Sequence, residues 1–242
     1  MLVTLLCVVG AHAITVGTPT TTLNDIQTDA TNVTYTFAGY STPANQLCTG
    51  VELTFPADTD VSGATAASYA GTVTVAGQVV TYTFATPIPR STAISVAIGG
   101  ITNPSVPVTQ TAGNITFFLT KTNGQPLASE VHPTGSYSVV APTFEITIDR
   151  ASIDFIDLYP EIPSATESVN IGVNSSRPFT VTRDVGADWS AIGLEWVDGS
   201  VGSHLAGVHA FADDFTATPP WEMTPETTYT VDILYTFEQQ IP

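Results

Sequence analysis

Gly71-Thr72-Val73-Thr74-Val75, then Ala76-Gly77-Gln78, then Val79-Val80-Thr81-Tyr82-Thr83-Phe84: two runs of strand-forming side chains flank a turn that contains glycine. Alternation with a period of two places successive side chains on opposite faces of an extended strand, and Val, Thr, Tyr and Phe suit a pleated, half-buried surface. A tight Gly-containing link between two such runs reads as a β-hairpin. Outward from it, strand signals recur at residues 33–37, 51–55, 93–98 and 114–119, bounded by Gly, Pro or Asn. Short strands at this interval predict a two-sheet sandwich and not parallel βαβ units.

The composition points the same way. Thr and Val dominate, charged residues make up 11% of the 242, and 43% are apolar, enough material for a packed core. A break falls at Val139-Val140-Ala141-Pro142, after which strand signals resume at 144–148, 168–173, 179–182 and 228–237. The expectation is an all-β chain with an N-terminal leader over 1–13, one β-sandwich over 14–141 and a second over 142–242. No helix-period segment of useful length occurs, and residues 199–215, rich in Gly, His and Asp, read as long loops with short edge strands.

Five basic residues against 22 acidic ones give a net charge of −17. Such a balance repels phosphate and excludes nucleic acid and anionic membrane surfaces as partners, while favouring solubility. Lys121 is the single lysine. The N-terminus, Met-Leu-Val-Thr-Leu-Leu-Cys-Val-Val-Gly-Ala-His-Ala, is apolar and ends in the small-x-small pattern Ala11-His12-Ala13. Cleavage after Ala13 and secretion are expected, although no Lys or Arg precedes the apolar run. The run is too short to span a bilayer, so the mature chain is expected not to insert into a membrane. Leu6 before Cys7 argues against lipid attachment, and no apolar anchor closes the chain at Pro242. Removal of the leader leaves Cys48 alone; retention leaves a Cys7–Cys48 bridge open.

Candidate chemistry is sparse. His12, His132, His204 and His209 are the only imidazoles, no Gly-x-Ser-x-Gly elbow occurs, and Cys48 has no base nearby in sequence. No nucleophile–base–acid set is therefore expected, and no enzyme. His204 and His209 followed by Asp213 and Asp214 form the best metal-like group, but their spacing places no two imidazoles on one helical face. Asp58 and Asp60, Asp154 and Asp157, Asp184 and Asp188 offer hard oxygens without matching a calcium loop, so they read as solvated turn carboxylates. No metal and no cofactor is expected. Trp196 reads as core, whereas Trp189 and Trp221 are the candidates for an exposed surface that stacks on a glycan. Asn32, Asn114 and Asn174 are glycosylation acceptors by pattern.

Residues 30–120 resemble the Ig-like modules repeated in bacterial and archaeal surface proteins. The likeness lies in Val51-Glu52-Leu53-Thr54-Phe55-Pro56, in the turn Val75-Ala76-Gly77-Gln78, and in Ile98-Gly99-Gly100-Ile101-Thr102-Asn103-Pro104. Residues 143–240 look like a second secreted sandwich type, through Leu158-Tyr159-Pro160, the Asn-Ser-Ser-Arg-Pro-Phe corner at 174–179, and Pro220-Trp221 before Thr227-Thr228-Tyr229-Thr230-Val231. The resemblance implies two tandem Ig-like domains of a surface, matrix or filament protein. It leads to an expected homo-oligomer or polymer, with Ile14, Val16, Leu23 and Ile26 as a strand donated to a neighbouring copy. The competing readings are that this stretch pairs within its own domain, and that the protein is an adhesin for cell-surface glycans.

Overall fold

The computed structural model describes residues 13–110, 113–156, 158–222 and 229–240, with backbone alone at 187, 188 and 191. Among the described residues the chain is all-β; the exception is a short 3-10 turn over Ala187–Ile192. It forms two compact units that divide between Ala141 and Pro142.

The first unit contains β1 (Thr15–Leu23), β2 (Val33–Ser41), β3 (Gln46–Thr54), β4 (Thr65–Ala66), β5 (Gly71–Ala76), β6 (Val79–Ile88), β7 (Ala93–Ile101), β8 (Val108–Gln110), β9 (Asn114–Lys121), β10 (Glu130–Pro133) and β11 (Tyr137–Val139). One sheet runs β1-β2-β7-β4 and the other β10-β9-β3-β6-β5, while β8 pairs with β11. Every ladder among these strands is antiparallel. The two sheets meet through aromatic side chains: Tyr40 on β2 and Phe117 on β9 have ring centroids 5.0 Å apart. Tyr35 stands edge-on to Phe55 at 5.5 Å and to Tyr137 at 5.2 Å.

A buried phenol needs a partner, and Tyr35 donates to Asn103 Oδ1 at 2.7 Å. The Asn103 amide nitrogen donates in turn to the carbonyls of Asp25 and Gln27 at 3.0 and 2.8 Å, which holds the β1–β2 connection against the core. The β5–β6 hairpin keeps an unbroken register from Gly71↔Phe84 to Ala76↔Val79. Gly77 supplies the positive φ of 60° at the first turn position, where a side chain would be strained.

The second unit contains β12 (Phe144–Ile148), β13 (Glu167–Ser175), β14 (Phe179–Val185), β15 (Leu194–Val197), β16 (Gly202–His204), β17 (Gly207–Ala217) and β18 (Ile233–Gln239). Its sheets run β12-β13-β17-β15 and β16-β14-β18. Residues 199–215 depart from the expectation of loops, because β17 is a long strand between β13 and β15. His209 and Asp213 take inward positions on β17 in step with Phe211 and Phe215, so polar letters hid the alternation. The closing strand also starts later than expected, at Ile233. The second core is thinner: among the described residues eight buried apolar side chains form it, against 22 in the first unit, and eleven others lean on it only partly covered.

Candidate assembly edge

A strand at a sheet edge presents unpaired N–H and C=O groups, and proteins usually protect such edges with charge, proline, bulges or brevity. Most edges here carry one of these guards. β1 contains Pro19 and a register shift between Val16 and Thr20. β10 carries Glu130, His132 and Pro133, β12 carries Glu145, β15 carries Glu195 and β18 carries Glu238. β4 has two residues, and β8, β11 and β16 have three each. Among the described strands, β5 alone is a longer edge with no charge, no proline and no register shift.

The hairpin turn fixes which groups of β5 face outward. Ala76 and Val79 close the two-residue turn as a hydrogen-bonded pair, so alternate residues Thr72 and Thr74 also bond to β6. The Ala85 N–H bond to the Ala70 carbonyl, at 2.8 Å, continues the same alternation. Gly71, Val73 and Val75 therefore point their backbone groups away from the sheet. Their side-chain positions face inward, opposite Phe84, Tyr82 and Val80, yet Val75 is 38% exposed. The reason is geometric, because the facing sheet ends in the two-residue β4. An open hollow of about 450 Å³, lined by residues 57–62, Val75, Gly77 and Gln78, lies beside the strand.

Charge is distributed in keeping with this edge. No charged side chain occurs from Val61 to Pro89, and the first unit carries six acidic and two basic residues. The second unit holds sixteen acidic and three basic residues, hence most of the repulsion between copies.

The stretch expected to be donated to a neighbour is paired at home. β1 lies antiparallel to β2, with Ile14 buried and Val16 and Leu23 packed against the first core, while Ile26 is exposed. The leader falls almost wholly outside the described residues, as does Cys7. Cys48 is buried, its thiol donates to the Gly50 carbonyl at 3.4 Å, and burial pushes the thiol up to about 11.

Trp189 and Trp221 are 41% and 68% exposed. Trp189 stands edge-on to Trp196 at 5.6 Å, and the Arg183 guanidinium lies 4.8 Å over the Trp196 ring. Asn32, Asn114 and Asn174 are all exposed, although the Asn174 amide nitrogen already donates to Glu145 at 3.3 Å. Asn114 also borders a smaller hollow of about 270 Å³, floored by Phe37, Leu53 and Phe55.

The His–Asp group is taken up by the protein itself. His204 Nε2 donates to the Ser200 carbonyl at 2.7 Å and His209 Nε2 to the Leu205 carbonyl at 2.9 Å. Asp213 points inward among four protein donors, while Asp214, on the other face of β17, accepts from Ser168 Oγ. Among the described residues no three His, Cys, Asp or Glu side chains converge as a metal site would require. Of the other paired acids, Asp157 and the side chain of Asp188 lie outside the described residues. Asp60 accepts from the Ser62 N–H at 2.9 Å, which holds its carboxyl below the ordinary value.

No protein-family model matches the chain, and a search of curated proteins returns no match.

Proposed function

We propose that the chain is an exported structural subunit that assembles with copies of itself into a cell-surface filament, layer or matrix. The observation that carries this is the unguarded, uncharged edge of β5. The Ig-like phrases of the sequence and the apolar leader support the same reading. A second copy offers the matching edge. When two β5 strands lie antiparallel about a two-fold axis through Val73, Val73 faces its own copy and Gly71 faces Val75. Every outward backbone group of the strand then gains a partner, and Thr72 meets Thr74 across the outer face. A two-fold contact closes on itself, so growth beyond a pair requires a second edge.

The test is analytical ultracentrifugation and negative-stain microscopy of the exported protein over a range of concentrations. Larger species should accumulate with concentration and with salt, which screens the acidic repulsion. Replacing Val73 by Pro removes one outward N–H without touching the ladder to β6, and assembly should fall sharply. A monomer at every concentration and salt level overturns the reading.

Exposed Trp189 and Trp221 favour a second reading, an adhesin for surface glycans. A glycan array separates the two: sugar binding lost on replacing both tryptophans by Ala favours the adhesin.

A further inference from the structure

We infer that the mature chain begins at Ile14 and that its new α-ammonium forms an ion pair with Glu130, locking β1 to β10. The Ile14 nitrogen lies 2.7 Å from Glu130 Oε2, and the Ile14 side chain is 4% exposed, seated in the first core. Ala13 is exposed. The step from exposed Ala13 to buried Ile14 falls at the bond that the Ala11-His12-Ala13 pattern marks for a leader-cleaving peptidase. Hydrolysis adds water across that amide. The hydroxyl goes to the Ala13 carbonyl carbon and the hydrogen to the Ile14 nitrogen, which then takes a proton from solvent at neutral pH.

Before the cut a neutral N–H donates to the carboxylate; after it an ammonium does. The uncut N–H already makes a charge-assisted bond, and the ammonium adds the attraction of a full positive charge to the carboxylate beside it. The place matters for the fold. β1 and β10 are the edge strands of the two facing sheets on one margin, and β4 and β5 are the edges on the other. Cleavage therefore fastens the first margin and retains β1 in its own chain, while the β5 margin stays available. The groups that face the ammonium are the Glu130 carboxylate and, on the same oxygen at 3.3 Å, His132 Nε2.

How the bond is cut rests on the export reading above, but the ion pair is tested on defined chains that do not depend on it. Two proteins are compared, one beginning at Ile14 and one with Gly-Ser placed before Ile14, each also as Glu130→Gln. Unfolding is followed by far-UV circular dichroism and by the near-UV signal of the first unit's tyrosines. At neutral pH the extension should lower the unfolding midpoint of the first unit by a few degrees, ~2–8 °C, in the Glu130 protein and leave Glu130→Gln unmoved. The gap should close as pH rises above the amine's ordinary range near ~8, where the charge is lost. Equal midpoints, or the same loss in both Glu130 and Gln proteins, overturns the ion pair. An N-terminus other than Ile14 on the exported protein overturns the cleavage.

Discussion

The Tyr235 hydroxyl on β18 donates a 2.8 Å hydrogen bond to Asp213 Oδ2 on β17, joining the two sheets of the second unit through a buried carboxylate. Asp213 is 0% exposed. Its Oδ1 accepts from the N–H groups of Gly199 and Ser200 at 2.8 Å each, and Oδ2 also accepts from Ser200 Oγ at 2.7 Å. Arg183 on β14 brings Nη1 within 3.7 Å of Oδ2 and pairs with Asp198. Its guanidinium packs over Trp196 and Phe215. A buried charge is tolerated only when paired and hydrogen-bonded, and this one is both.

Tyr235→Phe removes one of the four donors and keeps the ring. Loss of a hydrogen bond to a charged group costs about 1.5–3 kcal/mol, so the second unit should unfold at lower denaturant with its slope unchanged. Trp189, Trp196 and Trp221 all lie in that unit and the first has no tryptophan, which makes intrinsic tryptophan fluorescence its private probe. A midpoint equal to that of the parent protein would show that the phenol contributes nothing.

Acid should act on the same unit. Burial alone raises the Asp213 carboxyl, but the donors from Ser200, Tyr235 and Gly199 outweigh it and hold it below its ordinary value. A carboxyl lowered on folding contributes stability that is present above the unfolded-state value near ~3.9 and is lost as pH falls through the lower folded value. Tryptophan fluorescence should therefore report stability that is steady above pH ~5 and falls on further acidification. Tyr235→Phe weakens the support for the charge and brings the folded value nearer the unfolded one, so less stability should be lost over that fall.

The two cores predict an order of unfolding. Among the described residues the second unit buries fewer apolar side chains, and apolar burial is the main favourable term in folding. On heating, tryptophan fluorescence should change at a lower temperature than the near-UV signal of Tyr35, Tyr40, Tyr69, Tyr82 and Tyr137. Cys48 reports the first unit independently. Its buried thiol, pushed up to about 11, should resist a thiol reagent at neutral pH until that unit opens. Fast labelling of the native chain beginning at Ile14 would contradict its burial.

The β5 edge makes a register-specific prediction. With the axis through Val73, Thr72 of one copy lies directly across from Thr74 of the next. Mixed Thr72→Cys and Thr74→Cys proteins should form a disulfide between unlike variants, and either alone should link poorly. Self-linking of one variant would place the axis elsewhere. No linking in an assembling mixture would move the interface to another edge.

Two glycines separate backbone demand from simple freedom. A Cβ on Gly100, at φ +73°, would lie 2.1 Å from the Gly63 carbonyl oxygen, whereas one on Gly77, at φ +60°, meets nothing within 4 Å. Gly77→Ala should cost only the left-handed penalty of about 1–2 kcal/mol. Gly100→Ala must also displace backbone, so its loss of denaturant stability should be clearly larger.

Much of the fold was legible in the letters. The hairpin at 71–84 and the strand at 144–148 stand where alternation put them, because the period of two is set locally by side-chain direction and by the turn glycine. β17 escaped the same test, since His209 and Asp213 sit at core-facing positions and break the apolar pattern. Only the partners that the fold brings to them, from Ser200, Leu205 and Tyr235, make those positions tolerable.

By itself, the sequence determined an all-β chain, its acidity and its composition of short strands; these depend on residue type and period, which act within a few neighbours. The tertiary structure alone decided which strands became edges. That β5 stands unguarded at one margin while Ile14 meets Glu130 at the other follows from pairings between residues far apart in the chain. Such pairings are chosen by burial and register across the whole core, and no local run of letters encodes them.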